Sequence, residues 1–279
     1  MVGGGKCQYS YVYQIRSPER DTLIANYIKT LKNLAEIGIF TVCYNFIQLI
    51  DWTRTDLDYI LPTGASALRY NPIAAAAFDF FILKHENAKA PYTNEHYCEV
   101  SDYFKGLSTI QRKKLEEAIL AGIPGSRALI ALDDFKINHA TVLKINKEKL
   151  QVNLAYFLKA ITPEVEKIGV RMAIHPDDSP FLVFGVHRIV SNYEDIKFLL
   201  EGCPSPSNGL AFCSGSLGAS VNNDLLKIIE DFGNRIYFIH LRNVSRQGDG
   251  SFYEADHLSG SVSMEKIMKA IVKEQVKRK

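Results

Sequence analysis

The sequence predicts an α/β protein, an incomplete (β/α)8 barrel with a helical insertion, and three observations lead there. Amphipathic stretches alternate with short runs rich in β-branched and aromatic residues. A glycine stands where the first of those helices and the one before VRMAIH end. Only four such runs are clear in 279 residues, whereas a complete barrel takes ~250 residues or more and eight strands.

Taken in order, residues 22–37 place Ile24, Ile28, Leu31 and Leu34 on one helical face, and Gly38 ends the helix before the strand-like IFTVCY. YSYVYQI at residues 9–15 is a further strand candidate. Between about residues 60 and 145 the alternation stops, and FDFFILKHENAKAPYTNEHY with the helical RKKLEEAILAGIPG reads as a lobe inserted into one partial barrel domain spanning 1–279. The alternation resumes with a helix carrying Leu150, Leu154, Phe157, Ile161 and Val165, which Pro163 should kink or divide. Gly169 closes it ahead of VRMAIH. GLAFC, ending at Cys213, and RIYFIH, ending at His240, flank the helical NNDLLKIIEDFG. GDGSFYEADHLSG at residues 248–260 reads as a turn-rich loop, a polar lid with Glu254, Asp256 and His257. The terminal SMEKIMKAIVKEQVKRK puts Met264, Ile267, Met268, Ile271 and Val272 on a packing face. Such alternation builds a parallel sheet.

Composition narrows the partners. The 33 basic and 31 acidic residues nearly cancel, so no overall field draws the chain to nucleic acid or to an anionic membrane. A small anionic substrate needs only a local patch, and a homo-oligomer is compatible with this balance. There is no apolar run of 18 residues and no apolar leader core, which argues against membrane spanning and secretion. The 5 cysteines are odd in number and lack a CxxC pair, as in a reducing cytoplasm.

His175, Cys213 and His240 each end a predicted strand, spaced close to the ~30 residues of a βα unit. Carboxyl ends of parallel strands carry active sites because the loops there vary without disturbing the core, so two imidazoles and a thiol converge as a candidate metal site. A buried Cys as a small hydrophobe and a hydrogen-bonded core His are the plain alternatives. In HPDDSP, Asp177 or Asp178 can hold a ligand imidazole, act as base, or cap a turn. CSGSLGAS, with Ser216, has small residues that let backbone N–H groups approach an anion, or simply turn tightly. Arg242, next but one to His240, can grip a carboxylate with two parallel hydrogen bonds or form a surface salt bridge. CYNFIQLIDWTRTDLDY begins at another strand end and offers Asn45, Trp52 and Arg54; Trp52 suits a sugar-stacking wall or plain packing.

CYNF with DWTRTDL, AIHPDD, FCSGSLG with NND, and HLRNV followed by GDGSFYEADHL resemble the mannonate dehydratase family, over about residues 20 to 278. LRYNPIAAAAFDFFILK and AGIPG resemble its longer bacterial form. The resemblance implies a xylose isomerase-like barrel, Mn2+ or Fe2+ as cofactor, and dehydration of D-mannonate to 2-keto-3-deoxy-D-gluconate in hexuronate breakdown. The family's metal-binding His, Cys and His fall on His175, Cys213 and His240. Arg54 and Arg242, with Trp52 and Ser216, are then expected to contact substrate, and Asn45, His257 and Asp177 to take catalytic or orienting parts. Family members begin with about two further βα units and continue into a strand with an RPDHG motif that supplies a fourth ligand and proton-transfer groups. No counterpart of these is read in the 279 residues, so little or no dehydration is expected of this chain by itself. Two rivals accompany this reading: an inactive fragment or pseudoenzyme, and another metal-dependent barrel enzyme such as a sugar isomerase or endonuclease, whose sites generally lack a Cys ligand.

Overall fold

In the computed structural model, which describes residues 19–50, 52–85, 88–121 and 130–278, the four expected strands form one parallel sheet. Cys7, the strand candidate at 9–15, Asp51 and residues 122–125 of AGIPG lie outside the described residues. Helix α1 (Arg20–Glu36) buries Ile24 and Leu31, with Ile28 and Leu34 packed beside them. Gly38, at φ +82°, takes the left-handed conformation that lets the chain turn into β1 (Thr41–Tyr44).

The next parallel strand comes only after the lobe. Strands β2 (Asp56–Ile60) and β3 (Ser66–Tyr70) lead into helices α2 (Pro72–Phe78), α3 (Asn94–Gly106), α4 (Thr109–Leu120) and α5 (Leu132–Val142). Helix α4 opens with a reciprocal capping box between Ser108 and Gln111. Helix α6 (Lys147–Lys167) follows, capped by the Asn146 side chain, and packs on α1 through Phe157 against Tyr27. It runs through Pro163 as one helix, so of the kink or division expected there the division does not occur. Leu150, Leu154, Phe157, Leu158, Ile161 and Val165 are all buried on it, and at roughly 1.5–3 kcal/mol each they outweigh the ~3 kcal/mol a mid-helix proline costs.

Gly169, at φ +70°, returns the chain to β4 (Arg171–Ile174). Helix α7 (Tyr193–Gly202), β5 (Asn208–Cys213), the short α8 (Ser214–Gly218), α9 (Leu225–Phe232) and β6 (Ile236–His240) complete the series. The sheet order is β1-β4-β5-β6, parallel throughout, half of an eight-stranded barrel. Helix α10 (Met264–Lys277) packs on α9 with Met264, Ile267 and Ile271 inward. Met268 and Val272, expected on that face, stay exposed, because residues one position round the helix point about 100° away from the contact stripe.

Residues 248–260 are not a loop throughout. Strands β7 (Asn243–Arg246) and β8 (Phe252–Ala255) form a hairpin that joins β2 and β3 in an antiparallel sheet of order β2-β3-β8-β7. Tyr70 and Phe252 stack across the β3–β8 pairing, with ring centroids 5.5 Å apart. Residues 60–145 therefore carry strand as well as helix, and β3 joins the β7–β8 hairpin in one antiparallel sheet. Among the described residues no helix is long and apolar enough to cross a membrane.

Candidate metal centre

Three consecutive parallel strands deliver the three expected ligands. Cys213 ends β5 and is fully buried; His240 ends β6 directly opposite it in register, so both side chains leave the sheet at one level. His175 is the first residue beyond β4, one place later than the strand-end reading, and its N–H still donates to the Tyr44 carbonyl at 2.8 Å. One donor atom from each of His175, Cys213 and His240 lies within 4.8 Å of the others. Cys213 Sγ is 3.4 Å from His240 Nδ1. His175 Nδ1 is 2.7 Å from the Pro176 carbonyl, which can only accept; that fixes the proton on Nδ1 and leaves Nε2 as the donor atom.

Burial alone would push the Cys213 thiol up. The neighbouring His175 and His240 nitrogens and the charge of Arg242 outweigh it and hold the thiol well below its ordinary range. The Ser216 N–H, 3.4 Å from Cys213 Sγ, and the Ser216 hydroxyl, at 3.2 Å, fix the sulfur's direction. Two imidazoles and a thiolate, converging with one nitrogen already oriented from behind, suit a divalent transition metal of borderline softness.

Beside the trio lies a closed ring of four charges. Arg54 donates to both Asp178 oxygens, at 2.8 and 3.3 Å, and to Glu254 Oε1 at 3.0 Å. Arg242 donates to Asp178 Oδ2, to Glu254 Oε1 at 3.1 Å and to the Ser216 hydroxyl at 3.1 Å. That hydroxyl touches Asp178 as well as Cys213, so the ring and the trio share Ser216. Arg242 lies across Gly215, where any Cβ would sit 2.2 Å from its Nε; only glycine admits this approach. Burial would push the Asp178 carboxyl up, but Arg242 and Arg54 hold it well below the usual carboxylate range.

The other expected site residues are distributed unevenly. Arg54 has no exposed side-chain surface and is committed to the two carboxylates, with Trp52 stacked under its guanidinium at 4.7 Å. Trp52 is itself buried, so its ring face supports Arg54 and is not an open wall. Asp177 turns its carboxylate into its own loop, accepting from the N–H groups of Ile189 and Val190 at 2.7 and 2.6 Å. Asn45 is half-buried just past β1. His257 is exposed, its Nε2 3.1 Å from the Leu241 carbonyl. Sequence reasoning missed Asp178 and Glu254 as the shared partners of both arginines, because the contacts to Arg54 span 124 and 200 positions and those to Arg242 span 64 and 12, with no repeating spacing to mark them.

Residues 11–279 match the family described as D-mannonate dehydratase (UxuA). A mannonate dehydratase from Marinomonas sp. (strain MWYL1) is 43% identical over 256 residues, covering 91% of this chain and 66% of that protein. One from Chromohalobacter salexigens is 44% identical over 259 residues, covering 92% and 66%. The crystal structure of mannonate dehydratase from Streptococcus suis serotype 2 superposes with a TM-score of 0.71 at 32% identity, covering 95% of this chain and 63% of that one. The chain thus spans just under two thirds of the length of these relatives.

Proposed function

The chain belongs to the D-mannonate dehydratase family, and from that premise we propose that it serves as a metal-dependent hydro-lyase on D-mannonate, yielding 2-keto-3-deoxy-D-gluconate and water. The observation that carries this reading is the trio of His175, Cys213 and His240, converged within 4.8 Å at the carboxyl ends of adjacent strands. In this reading the trio holds Mn2+ or Fe2+, with the thiolate favouring these over magnesium. When bound, the ion supplies a positive charge that stabilises negative charge building on the substrate's oxygens.

The chain's own residues do the rest. Arg242 grips the substrate carboxylate, and Ser216 keeps Arg242 and Cys213 in fixed relation. Arg54, enclosed and stacked on Trp52, acts through Arg242 as a positioning residue rather than by touching substrate. Asp177 ties the loop after His175 to residues 189–191, which keeps that imidazole in place. Asn45 and His257 are the polar groups assigned to orient the hydroxyls as the C2 proton is removed and the C3 hydroxyl departs as water. Cys43, Cys98, Cys203 and Cys213 are all unpaired, in keeping with a cytoplasmic location.

The test is metal-dependent chemistry. Incubated with Mn2+ under reducing conditions, the protein should bind D-mannonate, and chelation should abolish that binding together with any release of 2-keto-3-deoxy-D-gluconate. D-mannonate left unbound and unchanged by the Mn2+-loaded protein, or isomerisation of an aldose in its place, would overturn the assignment.

A further inference from the structure

The charge ring is balanced without any ligand: two guanidinium groups, Arg54 and Arg242, face two carboxylates, Asp178 and Glu254. An arriving carboxylate therefore finds no free cation in the ring unless one of the resident carboxylates gives way. The two differ sharply in which can do so. Asp178 is 4% exposed, meets both arginines and Ser216, and leaving it unpaired would strand a buried charge. Glu254 is 25% exposed and stands on the β8 strand of a hairpin, and a single oxygen, Oε1, makes its bonds to both arginines. It can swing into water at little cost. Of the arginines, Arg54 is wholly enclosed whereas Arg242 is 15% exposed, so Arg242 is the one a ligand can reach. Arg242 is also the one that shares Ser216 with Cys213, so a group bound there lies next to the metal trio.

We propose that Glu254 is a resident stand-in for the ligand's carboxylate: it occupies Arg242 in the free protein and is displaced when a sugar acid binds. This rests on the reading that the site takes a sugar acid. Glu254 then sets affinity and selectivity. It keeps Arg242 oriented and neutralised while the site is empty, and only a ligand that brings its own carboxylate can replace it without leaving a cation unpaired. A neutral polyol gains nothing from the exchange.

Calorimetric titration of the Mn2+-loaded protein tests this with D-gluconate as the carboxylate probe and D-mannitol as the neutral one. Glu254→Gln keeps an oxygen that can accept from Arg242 but removes the competing charge. Because apparent affinity scales with the fraction of protein whose site is open, D-gluconate should bind roughly five- to tenfold tighter to this variant, with D-mannitol unchanged. Glu254→Asp, whose shorter side chain cannot span both arginines, should tighten binding by a smaller factor; it carries the test if the glutamine variant does not fold. Asp256→Asn, which removes an exposed charge from the same hairpin, should change nothing. Unchanged or weaker D-gluconate binding in Glu254→Gln overturns the inference, as does equal tightening in Asp256→Asn. Failure of the unaltered protein to bind either D-gluconate or D-mannonate overturns the sugar-acid reading itself, and this inference with it.

Discussion

Replacing Cys213 by Ser should lower divalent-metal affinity by on the order of 100-fold or more. The supporting contacts of a metal ligand alone are worth about 10 to 100-fold, and here a ligand itself is lost. The thiol is fully buried, held well below its ordinary range beside His175, His240 and Arg242, and faces His240 at 3.4 Å. A serine hydroxyl in its place stays protonated at neutral pH and donates far less charge. Metal content after equilibration with Mn2+ reads the loss, and cobalt substitution adds a signature that a merely structural role would not move. The thiolate-to-cobalt absorption of the unaltered protein should vanish in the variant while the fold, followed by circular dichroism, stays the same. Equal metal content in both proteins would remove Cys213 from the ligand set.

The second large effect is expected at Asp178. Asp178→Asn leaves two arginines facing one partly exposed glutamate, and breaking a buried pair by altering one partner costs roughly 3–5 kcal/mol because the remaining charge is uncompensated. Denaturant midpoints should record this, while Glu265→Gln, which opens an exposed bridge to Lys269, should leave them unmoved. The pH dependence has a definite sign. The folded-state Asp178 carboxyl is held below its ordinary value, so its contribution is complete above the usual carboxylate range of about 4 and is lost as the pH falls from there through the folded value. Acid unfolding of the unaltered protein should therefore include a component that Asp178→Asn lacks. A midpoint as insensitive to Asp178→Asn as to Glu265→Gln would show that the ring contributes geometry and not stability.

How far the sequence could be read follows from the range of the interactions. The four barrel strands and the two helices closed by Gly38 and Gly169 are written in local periodicity and in the need for positive φ, so they are legible residue by residue. The same holds for the convergence of His175, Cys213 and His240, since strand ends of successive βα units fall at one rim. The β7–β8 hairpin was not legible: SFYEA is short, lies among turn residues, and is held as a strand by β7 on one side and on the other by β3, about 180 residues earlier. Arg54 and Trp52 look like open contacts in sequence because their enclosure comes from Asp178, Glu254 and Phe252, none of them near in the chain. The extra apolar positions of α10 failed for a simpler reason, that amphipathic counting does not fix how wide a stripe the neighbouring helix covers.

The separation in chain length between the two halves of the site has a kinetic consequence. Cys213 and His240 are 27 residues apart and His175 directly follows the adjoining strand, whereas the bond from Arg54 to Glu254 closes a loop of 200 residues. Contacts between distant positions carry the larger loop-closure entropy and form late. On refolding, the metal trio should assemble first and the charge ring last, so that a chain emerging from denaturant acquires its cobalt absorption before it can bind D-gluconate. Stopped-flow traces of the two signals would separate if this is right; a single shared time course would show that ring and trio condense in one step.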